Sequence, residues 1–281
     1  MKCAWEALIN ILPLWMREKV DKLGKNSLQE IRLRLNQVPE LVGSMEQIKF
    51  TRTVSREDID FCINVASKYS PWSSTSFSKG YITAQGGHRI GICGVCTISK
   101  ENIQGIKTPS SICIRVARDF PGIGTKALQY YGSVLIIGAP GVGKTTLLRD
   151  YIRQLSDIRG EFVSVVDERE EIFPMVNGQP CFNAGIHTDI LTGCNKAKGI
   201  EILLRNMTPK TIAVDEITAK EDCDALLHAG WCGVKLLATA HAGSKLDLYK
   251  RPIYRSIVDS CIFDTLLILR SDKTWIGERL S

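Results

Sequence analysis

Residues 134–146 read Val-Leu-Ile-Ile-Gly-Ala-Pro-Gly-Val-Gly-Lys-Thr-Thr. The four apolar residues predict a buried strand, and the next eight, Gly138 to Thr145, fit G-x-x-x-x-G-K-[ST] at every fixed position. Gly138, Gly141 and Gly143 let the backbone curl with its N–H groups turned inward, across Ala139, Pro140 and Val142. Lys144 is a compact cation for β and γ phosphates, and the helix opening at Thr145 and Thr146 presents its positive end. Residues 138–146 are therefore the expected nucleotide cradle. The Thr145 hydroxyl is the expected ligand for the Mg²⁺ that accompanies ATP.

Binding alone needs no more than this; hydrolysis does. Downstream, Thr211-Ile212-Ala213-Val214-Asp215-Glu216 is a second apolar run ending in two acids. Asp215 is the expected second Mg²⁺ ligand, and Glu216 the base that orients and deprotonates the attacking water. A third run, Phe162-Val163-Ser164-Val165-Val166, leads into Asp167-Glu168-Arg169-Glu170-Glu171. Ligands of open parallel sheets lie at the carboxyl ends of the strands, so Glu168 competes with Glu216 for the role of base. A fourth, Val234 to Ala240, ends in His241, and it places Thr239 and His241 to sense the γ-phosphate. In isolation, each acid cluster or histidine would read as an ordinary solvated strand end. It is the phosphate loop in the same domain that gives them a chemical role.

Between these strands lie helical stretches, Thr145 to Leu155, Gly199 to Met207 and Ala219 to Ala229. This alternation implies a mainly parallel sheet covered by helices on both faces, an α/β domain. Residues 260–269 and 274–277, flanking Ser271-Asp272-Lys273, predict a terminal hairpin. The first half carries no nucleotide motif. It predicts a helix from Cys3 to Lys22 with a possible kink at Pro13, and an alternating strand Glu30 to Leu35. A helix is started by a Ser55/Asp58 capping pattern, and a hairpin is expected about Gly86-Gly87. Another alternating strand runs through Ile112, Ile114 and Val116. Turn formers at Asp119 to Gly124 divide the chain into a smaller α+β domain, residues 1–124, and the nucleotide domain, residues 125–281.

Composition agrees. The 281 residues are 44% hydrophobic and 23% charged, the balance of a globular protein. Apolar runs are broken by charge before they reach bilayer-spanning length, and Met1 to Glu6 has an acid within its apolar region. A cytoplasmic protein without an integral membrane segment is expected. The ten cysteines are read as reduced thiols. Cys93 and Cys96 form a single Cys-x-x-Cys with Cys113 and His88 nearby, and no second pair completes a zinc motif. A net charge of +6 is too modest to argue for nucleic acid as a partner.

In their order and spacing, these motifs resemble the stage III sporulation protein AA family. The shared motifs are Glu30-Ile31-Arg32-Leu33-Arg34, Gly86-Gly87-His88-Arg89-Ile90-Gly91, the phosphate loop, Asp167-Glu168-Arg169-x-Glu171, Val214-Asp215-Glu216 and Ala238-Thr239-Ala240-His241-Ala242. That family is similar to the ATPases of type II and type IV secretion. The resemblance implies a RecA-like motor domain behind a smaller N-terminal domain, a Mg²⁺-dependent ATPase converting ATP to ADP and phosphate, and a homohexameric ring. It also implies an endospore-forming source and a place on the mother-cell side, peripheral to membrane proteins of the channel complex between mother cell and forespore. It aligns Glu216 with the secretion ATPases' second motif, residues 167–171 with their acidic box and His241 with their histidine box. Those ATPases carry an arginine where this chain has Thr218. Arg205, Arg89, Arg115 and Arg149 are candidates for the arginine that stabilises transition-state charge. A nucleic-acid-dependent motor and a non-hydrolysing nucleotide-gated scaffold stand as alternatives.

Overall fold

The computed structural model describes residues 1–43, 48–68, 80–99 and 102–280. They form two compact units, residues 1–119 with 174–182, and residues 120–173 with 183–281.

In the first unit, the predicted opening helix is two: α1 (Trp5–Ile11) and α2 (Leu14–Ser27). The separation has a local cause. Pro13 excludes helical dihedrals from the residue before it, and Leu12 is extended at ψ 148°. Strand β1 (Glu30–Arg34) pairs with β2 (Glu40–Val42). Helix α3 (Arg56–Ala66) starts at the predicted box: the Ser55 hydroxyl accepts from Asp58 N, and Asp58 accepts from Ser55 N at 2.9 Å. Strands β3 (Tyr81–Thr83), β4 (Arg89–Ser99) and β5 (Asn102–Arg115) complete an antiparallel sheet of order β2-β1-β5-β4-β3. Its inward face, with Ile31, Leu33, Ile90, Ile112 and Ile114, packs on Leu8, Leu12, Met16, Ile59 and Ile63 of the helices.

In the second unit, β6 (Val134–Ile137) is buried along its whole length and leads into α4 (Lys144–Arg159). Then come β7 (Val163–Asp167), and within residues 174–182 of the first unit the short hairpin β8 (Met175–Val176) and β9 (Gln179–Pro180). The second unit resumes with β10 (Thr188–Thr192), α5 (Lys196–Asn206), β11 (Thr211–Val214), α6 (Lys220–Trp231) and β12 (Lys235–Ala240). Two short helices, α7 (Lys245–Lys250) and α8 (Arg255–Asp259), precede the terminal hairpin of β13 (Thr265–Leu269) and β14 (Trp275–Arg279).

The sheet order is β10-β7-β11-β12-β6-β13-β14, parallel throughout except for the β13–β14 edge. The strand that leads into Asp215 is thus separated from the phosphate-loop strand by β12, and β12 has a polar tip. Its residues Leu237 to Ala240 pair with Val134 to Ile137, which brings Thr239 level with the end of β6. Among the described residues, no helix is long and apolar enough to cross a membrane.

Candidate nucleotide site

The loop after β6 depends on glycine in two different ways. Gly141 (φ 75°) and Gly143 (φ 107°) occupy the left-handed region, which costs an L side chain roughly 1–2 kcal/mol. Gly138 instead lacks space: a Cβ there would lie 2.8 Å from Val142 Cγ2 and 3.0 Å from the Leu269 carbonyl. The terminal hairpin also touches this loop, with Lys273 Nζ donating to the Gly141 carbonyl at 2.9 Å.

Lys144, the first residue of α4, is buried. Its ammonium donates to the carbonyls of Gly138 (2.9 Å) and Ala139 (3.0 Å) and to His241 Nδ1 (2.9 Å), which occupies all three of its N–H bonds. Burial lowers its pKa, and the negative charges of Asp215 and Glu216 partly oppose that. Behind it in the helix, the Thr145 hydroxyl donates to Asp215 Oδ2 at 2.7 Å.

Asp215 comes directly after β11. Its other oxygen accepts from the Thr239 hydroxyl, which in turn accepts the Glu216 backbone N–H at 2.7 Å. One side chain from the intervening strand therefore sets the orientation of both acids. Burial raises the Asp215 pKa, the Thr239 and Thr145 hydroxyls lower it, and Glu171 and Glu216 raise it further. A desolvated carboxylate beside a hydroxyl, with further acids close by, is a hard-oxygen site that a divalent cation would neutralise. Thr145 and Asp215 fit Mg²⁺ in this respect. The cation would offset charge on a triphosphate. Among the described residues, no group of three or more His, Cys, Asp or Glu is arranged to hold a metal alone.

Glu216 sits at φ 52°, unusual for a non-glycine residue, and Ile217 N bonds the Thr239 carbonyl at 2.9 Å beyond it. Its Oε1 accepts from His241 Nε2 at 2.7 Å, and its Oε2 lies 3.7 Å from Arg169 Nη1. Of the acids after β7, Asp167 is structural. Its carboxylate accepts the N–H groups of Glu171 (2.9 Å) and Phe173 (2.7 Å), and burial pushes its pKa up to about 6 against those bonds. Glu168 is turned to Lys196, at 2.7 Å.

The arginine candidates separate clearly. Arg149 is buried and bonds the carbonyls of Glu171 (2.8 Å) and Ile172, so it folds the acidic loop. Arg89 stacks 3.8 Å from the Tyr81 ring, and Arg115 lies 3.5 Å from Glu30, both within the first unit. Arg205 is exposed in the last turn of α5, whose first residue meets Glu168. Nine residues, about 13.5 Å along the helix axis, separate it from Lys196. Arg169, beside Glu216, has no signal in the sequence beyond its place in an acidic run. The first-half cysteines show no shared site with His88: Cys93 and Cys96 are exposed on β4, and His88 is buried between Ala4 and Ala117.

The sequence matches the family described as sporulation stage III, protein AA over residues 5–277. It is 34% identical to stage III sporulation protein AA of Bacillus subtilis (strain 168) over 279 residues, covering 95% of this chain and 91% of that protein. The chain belongs to this family. Among solved structures it is similar to the ATPase DotB of Legionella pneumophila, with TM-score 0.60 and 19% identity over 95% of this chain and 80% of that one. It is also similar to the pilus retraction motor PilT, solved with bound ADP, with TM-score 0.61 and 15% identity over 92% and 78% of the two chains. The mainly parallel sheet therefore has the RecA-like fold of these ATPases.

Proposed function

We propose that this member of the stage III sporulation protein AA family is a Mg²⁺-dependent ATPase whose turnover drives a membrane-embedded assembly. The observation that carries the reading is the connected chain Thr145–Asp215–Thr239–Glu216–His241–Lys144, which joins the tips of β6, β11 and β12. Each member has a distinct task. Lys144 and the loop N–H groups bind the β and γ phosphates, and Thr145 with Asp215 would hold Mg²⁺. Glu216 orients water in line with the γ-phosphorus and takes its proton, while His241 fixes the carboxylate's direction. The family name and the likeness to DotB and PilT support a motor that works as a ring of about six copies. Its setting on this reading is the mother-cell side of the channel complex joining mother cell and forespore, where it acts as a peripheral cytoplasmic subunit docked on membrane proteins.

Replacing Lys144 by Ala tests the reading. Phosphate release by the purified protein should fall at least about a hundredfold while the melting temperature is retained. Unchanged turnover would refute it. Nucleotide-dependent assembly without phosphate release in the wild type would instead favour the scaffold. A mass measurement with and without a non-hydrolysable ATP analogue tests the ring.

A further inference from the structure

Lys196 is a cation in an unfavourable place. It is the first residue of α5, where the helix dipole repels positive charge, and it is only 6% exposed. Two carboxylates compensate: Glu168 Oε2 at 2.7 Å and Asp222 Oδ2 at 3.7 Å. These partners lie on different elements. Glu168 comes just after β7 and neighbours Arg169, which reaches Glu216. Asp222 lies in the first turn of α6, and its Oδ2 accepts the backbone N–H groups of Thr218 (3.0 Å) and Ala219 (3.1 Å), two and three residues beyond Glu216.

A single ammonium thus ties together the loops after β7, β10 and β11, on both flanks of a glutamate with a strained backbone. A cavity of about 770 Å³ opens here, with Glu168, Lys196, Asp222 and His228 in its wall beside Ala197 and Ile200. Without the cation, Glu168 and Asp222 would repel, and either loop could shift by the ångström that an in-line water does not tolerate.

We infer that Lys196 is a positioning residue for ATP hydrolysis, acting through Glu168 and Asp222 to hold Glu216 on its water. The inference rests on the ATPase function proposed for this site. Its test compares Lys196→Met, Glu168→Gln and the double variant in the full-length chain. Turnover and KM for ATP, the affinity for a fluorescent ATP analogue, and melting temperatures are measured, with kinetics about 15 °C below each melting point. Lys196→Met should lower kcat about tenfold with KM and analogue affinity changed less than about twofold, and Lys196→Arg should recover most of it. The double variant should be no slower than the slower single one, because both changes break the same pair.

A Lys196→Met kcat within about twofold of wild type, or analogue affinity lost in step with kcat, would overturn the assignment. Multiplied losses in the double variant would do the same. Should Lys196→Met not fold, Glu168→Gln decides alone, because the Glu168 side chain is 37% exposed: a kcat loss of about tenfold at constant KM supports the inference, and an unchanged kcat, or a loss as large as that of Glu216→Gln, ends it. Wild-type turnover in Lys144→Ala would remove the ATPase reading itself, whatever Lys196 does.

Discussion

Lys144 Nζ lies 2.9 Å from His241 Nδ1, and this contact fixes the protonation of the ring. An ammonium has no acceptor, so Nδ1 must be the unprotonated nitrogen. Nε2 then carries the hydrogen and donates it to Glu216 at 2.7 Å. Lys144 and Glu216 are thereby joined through one neutral imidazole. An arriving phosphate must take at least one donor away from the Gly138 or Ala139 carbonyl or from His241, since all three are engaged. His241→Ala should leave ATP affinity equal or slightly tighter, since Lys144 loses a competitor. It should slow turnover about ten- to a hundredfold, since Glu216 loses its guide. Isothermal titration and phosphate-release assays separate the two effects. A weakened affinity with normal turnover would contradict the tautomer argument.

Glu216 and Glu168 differ in their contacts, and kinetics can decide between them as the base. Glu216 is hydrogen-bonded to His241, which also meets Lys144, whereas Glu168 is engaged by Lys196. Glu216→Gln should cost at least about a hundredfold in kcat and still bind ATP, and Glu168→Gln only about tenfold. The reverse order would make Glu168 the base.

Burial decides which parts of the fold are legible in the sequence. Strands β6, β11 and β12 are buried along nearly their whole length, so each appears as a mostly apolar run, unbroken in β6 and interrupted in β12 by Thr239, and the sheet class can be read from their spacing. Strand β10, Thr-Asp-Ile-Leu-Thr, is half-buried at the sheet edge and carries no such run, so nothing in its sequence announces it. For helix α5 the apolar periodicity points to a start near Gly199, because its first turn is Lys-Ala-Lys. The true start is set by Asn195, whose side chain accepts from Lys198 N, and it is this extra turn that brings in Lys196. Site residues at the ends of apolar strands can be located from sequence, but their pairings cannot. Nothing local in Asp167-Glu168-Arg169 says that the first acid ties its own loop, the second meets α5 and the arginine meets Glu216.

His88 predicts a pH dependence of the fold. The ring is fully buried; Nδ1 accepts from Ala117 N at 3.1 Å, which leaves Nε2–H to donate to the Ala4 carbonyl at 2.9 Å. Burial lowers its pKa, the Ala4 carbonyl opposing and Arg118 adding to the shift. Below the unfolded value of about 6.5 the unfolded chain takes up a proton that the folded chain refuses, so stability falls as pH drops, by at most about 1.4 kcal/mol per pH unit. Asp167 works in the opposite sense: its raised pKa, about 6, favours the folded state as pH falls through that value. A difference measurement cancels it. The stability gap between wild type and His88→Gln should be about 1–3 kcal/mol at pH 7.5 and shrink toward pH 5.5. A constant gap would mean that His88 does not titrate differently in the two states.

Gly199 links packing to the site. A Cβ there would lie 2.5 Å from Val166 Cγ1 and 3.1 Å from Cys194 Sγ, so the missing side chain lets α5 rest directly on β7. Gly199→Ala gains roughly 1 kcal/mol of helix propensity but overpacks a close contact at a cost of about 1–3 kcal/mol. A net loss of stability is therefore expected in thermal melts. The overpacking would also lift the first turn of α5, and with it Lys196 from Glu168, so kcat should fall in parallel. Val166→Ala removes the obstructing methyl groups; on its own it should destabilise through the cavity it leaves. In the pair with Gly199→Ala it should cost less than the sum of the two, and turnover should return toward wild type. Additive losses in the double variant would show that the contact does not set the position of α5.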